Sequence, residues 1–273
     1  MKHKKKLTAA IVLGIGSIVP TLIGGDPAPK DKYPSTVRIF MSGASCTATL
    51  IGPKVLLTAA HCVDDGKTVE FKYNGADVNS KPCSHHPGYA SNQTADFALC
   101  PLPTALSGIF ETINTDHKLI SKGDTITLTG YGCIKSDGSG GNDGILREGK
   151  AKVTKLPSSK NFDIVATAAK GALCYGDSGG PAFSSSRTLI GVNSRGDIKT
   201  TSYLSAVHMA DESFIKKWAD DLGLKICGLH PGGTCVKKSE PSPLDPSEWD
   251  IDKILAMLQK LIDLITQFFG VSK

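Results

Sequence analysis

Residues 176–181 read Gly-Asp-Ser-Gly-Gly-Pro, and no other stretch of this 273-residue chain restricts the fold as much. A serine hydroxyl is a weak nucleophile and needs a neighbouring base and a site for developing negative charge. Small residues around Ser178 let a substrate backbone come close, and they free the amides of Gly176 and Ser178 to point at an oxyanion. The same letters fit the G-x-S-x-G pattern of a strand–turn–helix elbow. Such an elbow needs a helix directly after the serine, and Gly179-Gly180-Pro181 is a poor helix start. A plain Gly-rich turn is the bland alternative.

Two further stretches carry the residue types such a serine needs. Leu56-Leu57-Thr58-Ala59-Ala60-His61-Cys62 puts a histidine at the end of an apolar strand. Asp96-Phe97-Ala98-Leu99 puts a carboxylate at the entrance of another. A carboxylate there is costly to bury unless hydrogen-bonded. Accepting a proton from an imidazole, and so fixing its tautomer, meets that need. Read singly, His61 could equally be a buried structural histidine and Asp96 a solvated strand end.

Short β-runs broken by Gly, Pro, Asn and Asp fill the middle of the chain. Examples are Ser35–Met41, Thr47–Ile51, Val55–Leu57, Val69–Tyr73, Ala95–Leu99, Thr125–Thr129, Leu189–Val192 and Tyr203–Val207. This spacing predicts an antiparallel all-β architecture, sandwich or barrel. Glu111–Gly123 is polar, without strand periodicity, and suits a connection between two halves. Ser136–Gly144 is a Gly-rich exposed loop. Ser213–Leu222 has helical spacing, with Phe214, Ile215 and Trp218 on one face. Residues 229–246 read as a Pro/Gly-rich linker. Residues 247–270 read as an amphipathic helix introduced by Asp245, Pro246 and Glu248 and stopped by Gly270.

The formal charge of +5 overstates how basic the protein is. Four lysines (Lys2, Lys4, Lys5, Lys6) lie in the first six residues, and removing them leaves +1. That balance gives no support to nucleic-acid binding. The basic start, the apolar run Leu7–Val19 and Pro20 have the form of an export signal, too short to span a bilayer. Residues 1–21 are therefore read as a signal peptide, with a propeptide Ile18–Thr21 if signal peptidase cuts after Ser17. The expected location is outside the cytoplasm: secreted, or periplasmic in a bacterium. Eight cysteines in an exported chain point to four disulfides. Cys83, His85 and His86 form the one tight Cys/His cluster, but without a C-x-x-C partner it is a poor zinc motif.

Together the three motifs, in the order His61, Asp96, Ser178, resemble the chymotrypsin-like (trypsin-like) serine proteases. The resemblance runs over about residues 22 to 222. Thr47–Ile51 with Leu57–Cys62 resembles the family's first catalytic block, Thr129-Gly130-Tyr131-Gly132 the start of its second barrel, and Leu189–Gly196 the strand that pairs with substrate. It implies two six-stranded antiparallel barrels with a C-terminal helix, forming a peptidase domain over residues 22–228. It implies catalysis by His61, Asp96 and Ser178, an oxyanion hole from the Gly176 and Ser178 amides, and no metal or organic cofactor. Leu22-Ile23-Gly24-Gly25 resembles a mature amino terminus, with Leu where Ile or Val is usual. Its freed α-amino group would pair with Asp177. Ala172, Ser194, Gly196 and Thr201 would line the specificity pocket. Ala172 stands where trypsin-type members carry an acid, so a small or hydrophobic P1 residue is expected. Asn193, where glutamate-specific members often carry His, argues against an acidic P1. By the same resemblance Cys46–Cys62 braces the histidine loop and Cys133–Cys174 is a reasonable pair, leaving Cys83–Cys100 and Cys227–Cys235.

Two rivals remain at this level. One is a protease-like binding module without activity. The other is an α/β-hydrolase esterase using Ser178 with Asp197 and His208. Expected partners are protein or peptide substrates. The 247–270 segment is expected to dock on the domain or self-associate rather than contact a membrane, because its polar face is not rich in Lys and Arg.

Overall fold

The computed structural model describes residues 22–236, except 24, 42, 169, 170 and 233, and also residue 259. The predicted signal peptide and the 247–270 helix, Gln259 apart, lie outside the described residues. Among the described residues, fourteen strands form two sheets. The first comprises β2 (Thr36–Met41), β3 (Ala44–Gly52), β4 (Val55–Thr58), β5 (Glu70–Tyr73), β6 (Ala76–Asn79), β7 (Ser84–His85) and β8 (Ala98–Pro101). Their order is β6-β5-β2-β3-β4-β8-β7, a curled antiparallel sheet. The second comprises β1 (Asp26–Pro27), β9 (Thr125–Gly130), β10 (Arg147–Lys155), β11 (Asp163–Thr167), β12 (Pro181–Phe183), β13 (Leu189–Gly196) and β14 (Thr201–Ala206). Here β10 also pairs with β9, so six strands close into a barrel with β1 added outside. The expected pair of barrels is thus one closed barrel and one curled half-barrel. The polar stretch 111–123 lies between them, as expected of a connection.

Residue type explains the strands. In β10, Ala151 and Val153 face inward while Lys150 and Lys152 face solvent, the period of two of a half-buried strand. In β3, every residue from Thr47 to Gly52 is buried, because the curl of the sheet covers both faces. One core gathers Ile39, Leu50, Leu57, Phe71, Phe97 and Leu99 with residues of the second half such as Phe183 and Val192. The other, inside the closed barrel, gathers Ile126, Leu128, Ile164, Ile190 and Leu204 around Leu22. The terminal helix is a π-helical turn, Asp211–Lys216, running into α1, Lys217–Asp221. Phe214 and Ile215 are buried and Trp218 packs against the core, the face predicted from spacing.

All four disulfides form: Cys46–Cys62, Cys83–Cys100, Cys133–Cys174 and Cys227–Cys235. Cys83 is therefore not available as a thiolate for the His85/His86 cluster. No helix among the described residues is long and apolar enough to cross a membrane.

Candidate active site

The two halves meet where three loops converge. His61 lies on a 3₁₀ turn, Ala60–Cys62, which follows β4 and is pinned by the Cys46–Cys62 disulfide. Asp96 sits just before β8, and Ser178 three residues before β12. The first sheet thus carries the imidazole and carboxylate, and the second carries the hydroxyl.

Nδ1 of His61 lies 2.7 Å from Oδ2 of Asp96, and the His61 amide donates to Oδ1 at 3.0 Å. The Ser194 hydroxyl donates to the same Oδ2 at 2.6 Å. Asp96 is 2% exposed, so burial alone would raise its pKa. The bonds from His61 and Ser194 and the histidine's charge outweigh burial and hold the carboxyl below its usual value. An ionised Asp96 selects the tautomer with the proton on Nδ1, which leaves Nε2 as a base on the half-exposed side of the ring.

Ser178 donates to the carbonyl of Ser194 at 3.4 Å, and no hydrogen bond joins it to His61 in this structure. Ser194 therefore touches both ends of the group: its hydroxyl serves Asp96 and its carbonyl meets the Ser178 hydroxyl. Its place among the pocket-lining residues gave no sign of this role.

Hydrogen bonds fix the Ser178 turn. Gly179 donates to the Asn193 carbonyl (2.7 Å), Asn193 donates to the Gly180 carbonyl (2.8 Å), and Thr47 donates to the Ser178 carbonyl (2.8 Å). The Thr47 hydroxyl donates to the Gly176 carbonyl at 2.8 Å and accepts from the Tyr131 amide at 3.1 Å, tying both halves together. The Asn193 side chain donates to the carbonyls of Thr129 and Asp177, and the residue is fully buried. Sequence reasoning missed Thr47 and read Asn193 only for specificity; both brace the nucleophile turn. Gly176 adopts φ +98°. The amides of Asp177, Gly179 and Gly180 are bonded internally, while those of Gly176 and Ser178 have no acceptor among the described residues.

Asp177 is completely buried and accepts from the amides of Gly132 (2.8 Å) and Cys174 (2.9 Å). Burial dominates these bonds and pushes its carboxyl up to about 7. Leu22 is buried too, and the Ile23 carbonyl accepts from Gly171 (2.8 Å) and Ala172 (3.3 Å). Of the predicted pocket residues, Gly196 and Thr201 lie close together, a Cβ on Gly196 standing 2.7 Å from the Thr201 carbonyl, while Ala172 bridges to Ile23. Ala172 is buried and Thr201 partly exposed. His208, the histidine of the esterase alternative, is buried among core residues and its ring packs on His117.

The family model described as Trypsin matches residues 22–218. This chain belongs to the trypsin family. As a family member it is a serine endopeptidase, and its two antiparallel sheets set aside the α/β-hydrolase esterase alternative. Relatives of this trypsin-family protease include brachyurin of Leptuca pugilator, 27% identical over 59% of this chain and 80% of brachyurin. A trypsin-like protease of Streptomyces glaucescens is 25% identical over 67% of this chain and 77% of its own. Among solved structures, neuropsin, described as a serine protease expressed in the limbic system of mouse brain, superposes with a TM-score of 0.60. It is 19% identical, covers 73% of this chain and 98% of its own, and speaks for the fold alone.

Proposed function

We propose that this protease cleaves peptides through an acyl-enzyme on Ser178, with His61 as general base and Asp96 holding the imidazole. One observation carries the reading: the Asp96 carboxylate, bonded to His61, also receives the hydroxyl of Ser194, whose carbonyl receives the hydroxyl of Ser178. To attack, Ser178 turns its hydroxyl from that carbonyl to Nε2 of His61. The hydroxyl oxygen bonds to the scissile carbonyl carbon while its proton passes to Nε2. The amides of Gly176 and Ser178 hold the resulting oxyanion, consistent with their lack of internal acceptors. His61⁺ then protonates the leaving amine, and water repeats the sequence on the ester. A cleft of about 1070 Å³ beside His61, walled by Arg38, Phe40, Cys62, Lys67 and Glu70 among others, suits the leaving side of the peptide.

Ala172, standing where trypsin-type members carry an acid, and the approach of Thr201 to Gly196 favour small or hydrophobic P1 residues over Lys or Arg. Activation is proposed to follow cleavage after Thr21. The new α-amino group of Leu22 would supply the cation that buried Asp177 calls for, and so set the loop carrying the Gly176 amide. Secretion is supported by four disulfides, which persist in oxidising compartments. Self-association or docking through residues 247–270 remains a proposal on sequence pattern.

Cleavage profiling of the protein beginning at Leu22 tests this. Hydrolysis after small or apolar residues, abolished in Ser178→Ala, is expected. Cleavage confined to Lys and Arg would overturn the specificity reading, and full activity in Ser178→Ala the catalytic one.

A further inference from the structure

β13 reaches past its partner. β12 pairs with it only as far as Val192, opposite Pro181. Beyond that, Arg195 and Gly196 keep their other edge on β14, Arg195 opposite Tyr203 and Gly196 opposite Ser202, with the register shifting at Ser194. The edge on the Ser178 side has no strand partner among the described residues. An unpaired strand edge beside a nucleophile is where an extended peptide adds as a further strand. The Ser194 carbonyl at the Ser178 hydroxyl fixes where along that edge the scissile bond lies. The acyl side of the substrate then runs past Arg195.

Arg195 is the cation on this wall. Its side chain is 43% exposed, and its guanidinium lies over the Tyr203 ring, 4.9 Å from the centroid. One nitrogen donates to Oδ2 of Asp163, and another approaches the Ser194 hydroxyl at 3.4 Å. Asp163 is 4% exposed, and its other oxygen has no hydrogen-bond partner among the described residues. The negative end of the pair therefore lies inside and the positive end is half-exposed. A guanidinium has five donors in a planar fork, and these two contacts leave the rest for a ligand. Tyr89, from the loop before Asp96, is half-buried, and its phenol lies within electrostatic reach of both Asp96 and Arg195.

We propose that Arg195 is a specificity-determining residue: it selects substrates with an acidic side chain two to four positions before the scissile bond. The inference rests on the protease reading above. It concerns upstream positions and leaves the small or apolar P1 preference unchanged.

The test uses the protein beginning at Leu22 and quenched peptides that differ only by Glu or Gln at each upstream position. The parent should prefer Glu at one of these positions by about tenfold in kcat/KM, the size of one charge-assisted hydrogen bond. Raising the salt concentration should shrink that preference. Arg195→Gln should remove it by lowering kcat/KM for the Glu peptide about tenfold more than for the Gln peptide, and Arg195→Lys should restore part of it. Asp163→Asn, which releases the guanidinium, should raise it. Equal cutting of Glu and Gln peptides by the parent overturns the proposal. So does an equal loss on both peptides in Arg195→Gln, which would mark a purely structural role. Failure of the protease reading shows separately, as no cleavage of any peptide and no labelling of Ser178 by a fluorophosphonate, and overturns both.

Discussion

Gly179 shows how closely single residues are constrained around the nucleophile. Its φ is +80°, and a Cβ there would run into the Thr58 hydroxyl and the Thr47 carbonyl. Neither neighbour is free to move: the Thr58 hydroxyl donates to that carbonyl at 2.9 Å, and the Thr47 amide holds Ser178. Gly179→Ala is therefore expected to destabilise the protein by about 2 kcal/mol or more and to lower kcat/KM at least about a hundredfold. Urea titration and peptide hydrolysis measure the two effects. A variant with parent stability and rate would show that the turn yields. Sequence alone singled out Ser178, His61 and Asp96 as candidates, because the chemistry expected of them needs particular residue types in distinctive surroundings. It did not reveal Thr47 or the bracing role of Asn193. Threonine and asparagine are common, and what singles these two out is which carbonyl they reach across the interface.

At the scale of elements, legibility followed side-chain size. Strands rich in Leu, Ile and Val, such as β4 and β13, could be read directly. β10 was not singled out, although its alternation is regular: its inward residues include Gly149 and Ala151, and Arg147 is buried. Small inward residues give little hydrophobic contrast, so periodicity alone does not expose such a strand. The buried Arg147 is matched by Asp143, a contact that only the fold supplies. Among the cross-links, Cys133–Cys174 closes the longest loop, with a sequence separation of 41. It also joins the residue after Gly132 to the segment that leads into Gly176. Replacing both cysteines by serine should cost up to about 4 kcal/mol by loop entropy. Activity should fall further than stability alone explains, because the Gly176 amide loses its anchor. Thermal denaturation beside kcat/KM at a temperature where the variant stays folded separates the two. Unchanged kcat/KM there would show that the disulfide only stabilises.

For the whole molecule, the proposed activation scheme makes the buried Asp177 a link between folding and activation. In the uncleaved chain, burial raises its carboxyl from the ordinary 3.8 to about 7. The folded chain then holds this proton more tightly than the unfolded chain does. Its contribution to stability is complete at low pH and is lost as pH rises from about 4 to about 7. Once an α-amino group at Leu22 pairs with Asp177, the carboxylate is favoured and that loss should vanish. Protein extended by even one residue before Leu22 is expected to be nearly inactive and to lose urea stability over this range. Protein beginning at Leu22 should be active and free of that loss. Equal activity of the two forms, with their termini verified by mass spectrometry, would contradict the activation scheme.

The most direct measurement of the catalytic account is the rate of His61→Ala on a peptide the parent cleaves, both starting at Leu22. With imidazole, carboxylate and hydroxyl acting as one unit, loss of the base should reduce kcat by about 10⁴-fold or more while the fold persists. A variant that still cleaves at a rate near the parent's would mean that Ser178 takes its proton acceptor from elsewhere, and the assignment built on His61 and Asp96 would fall.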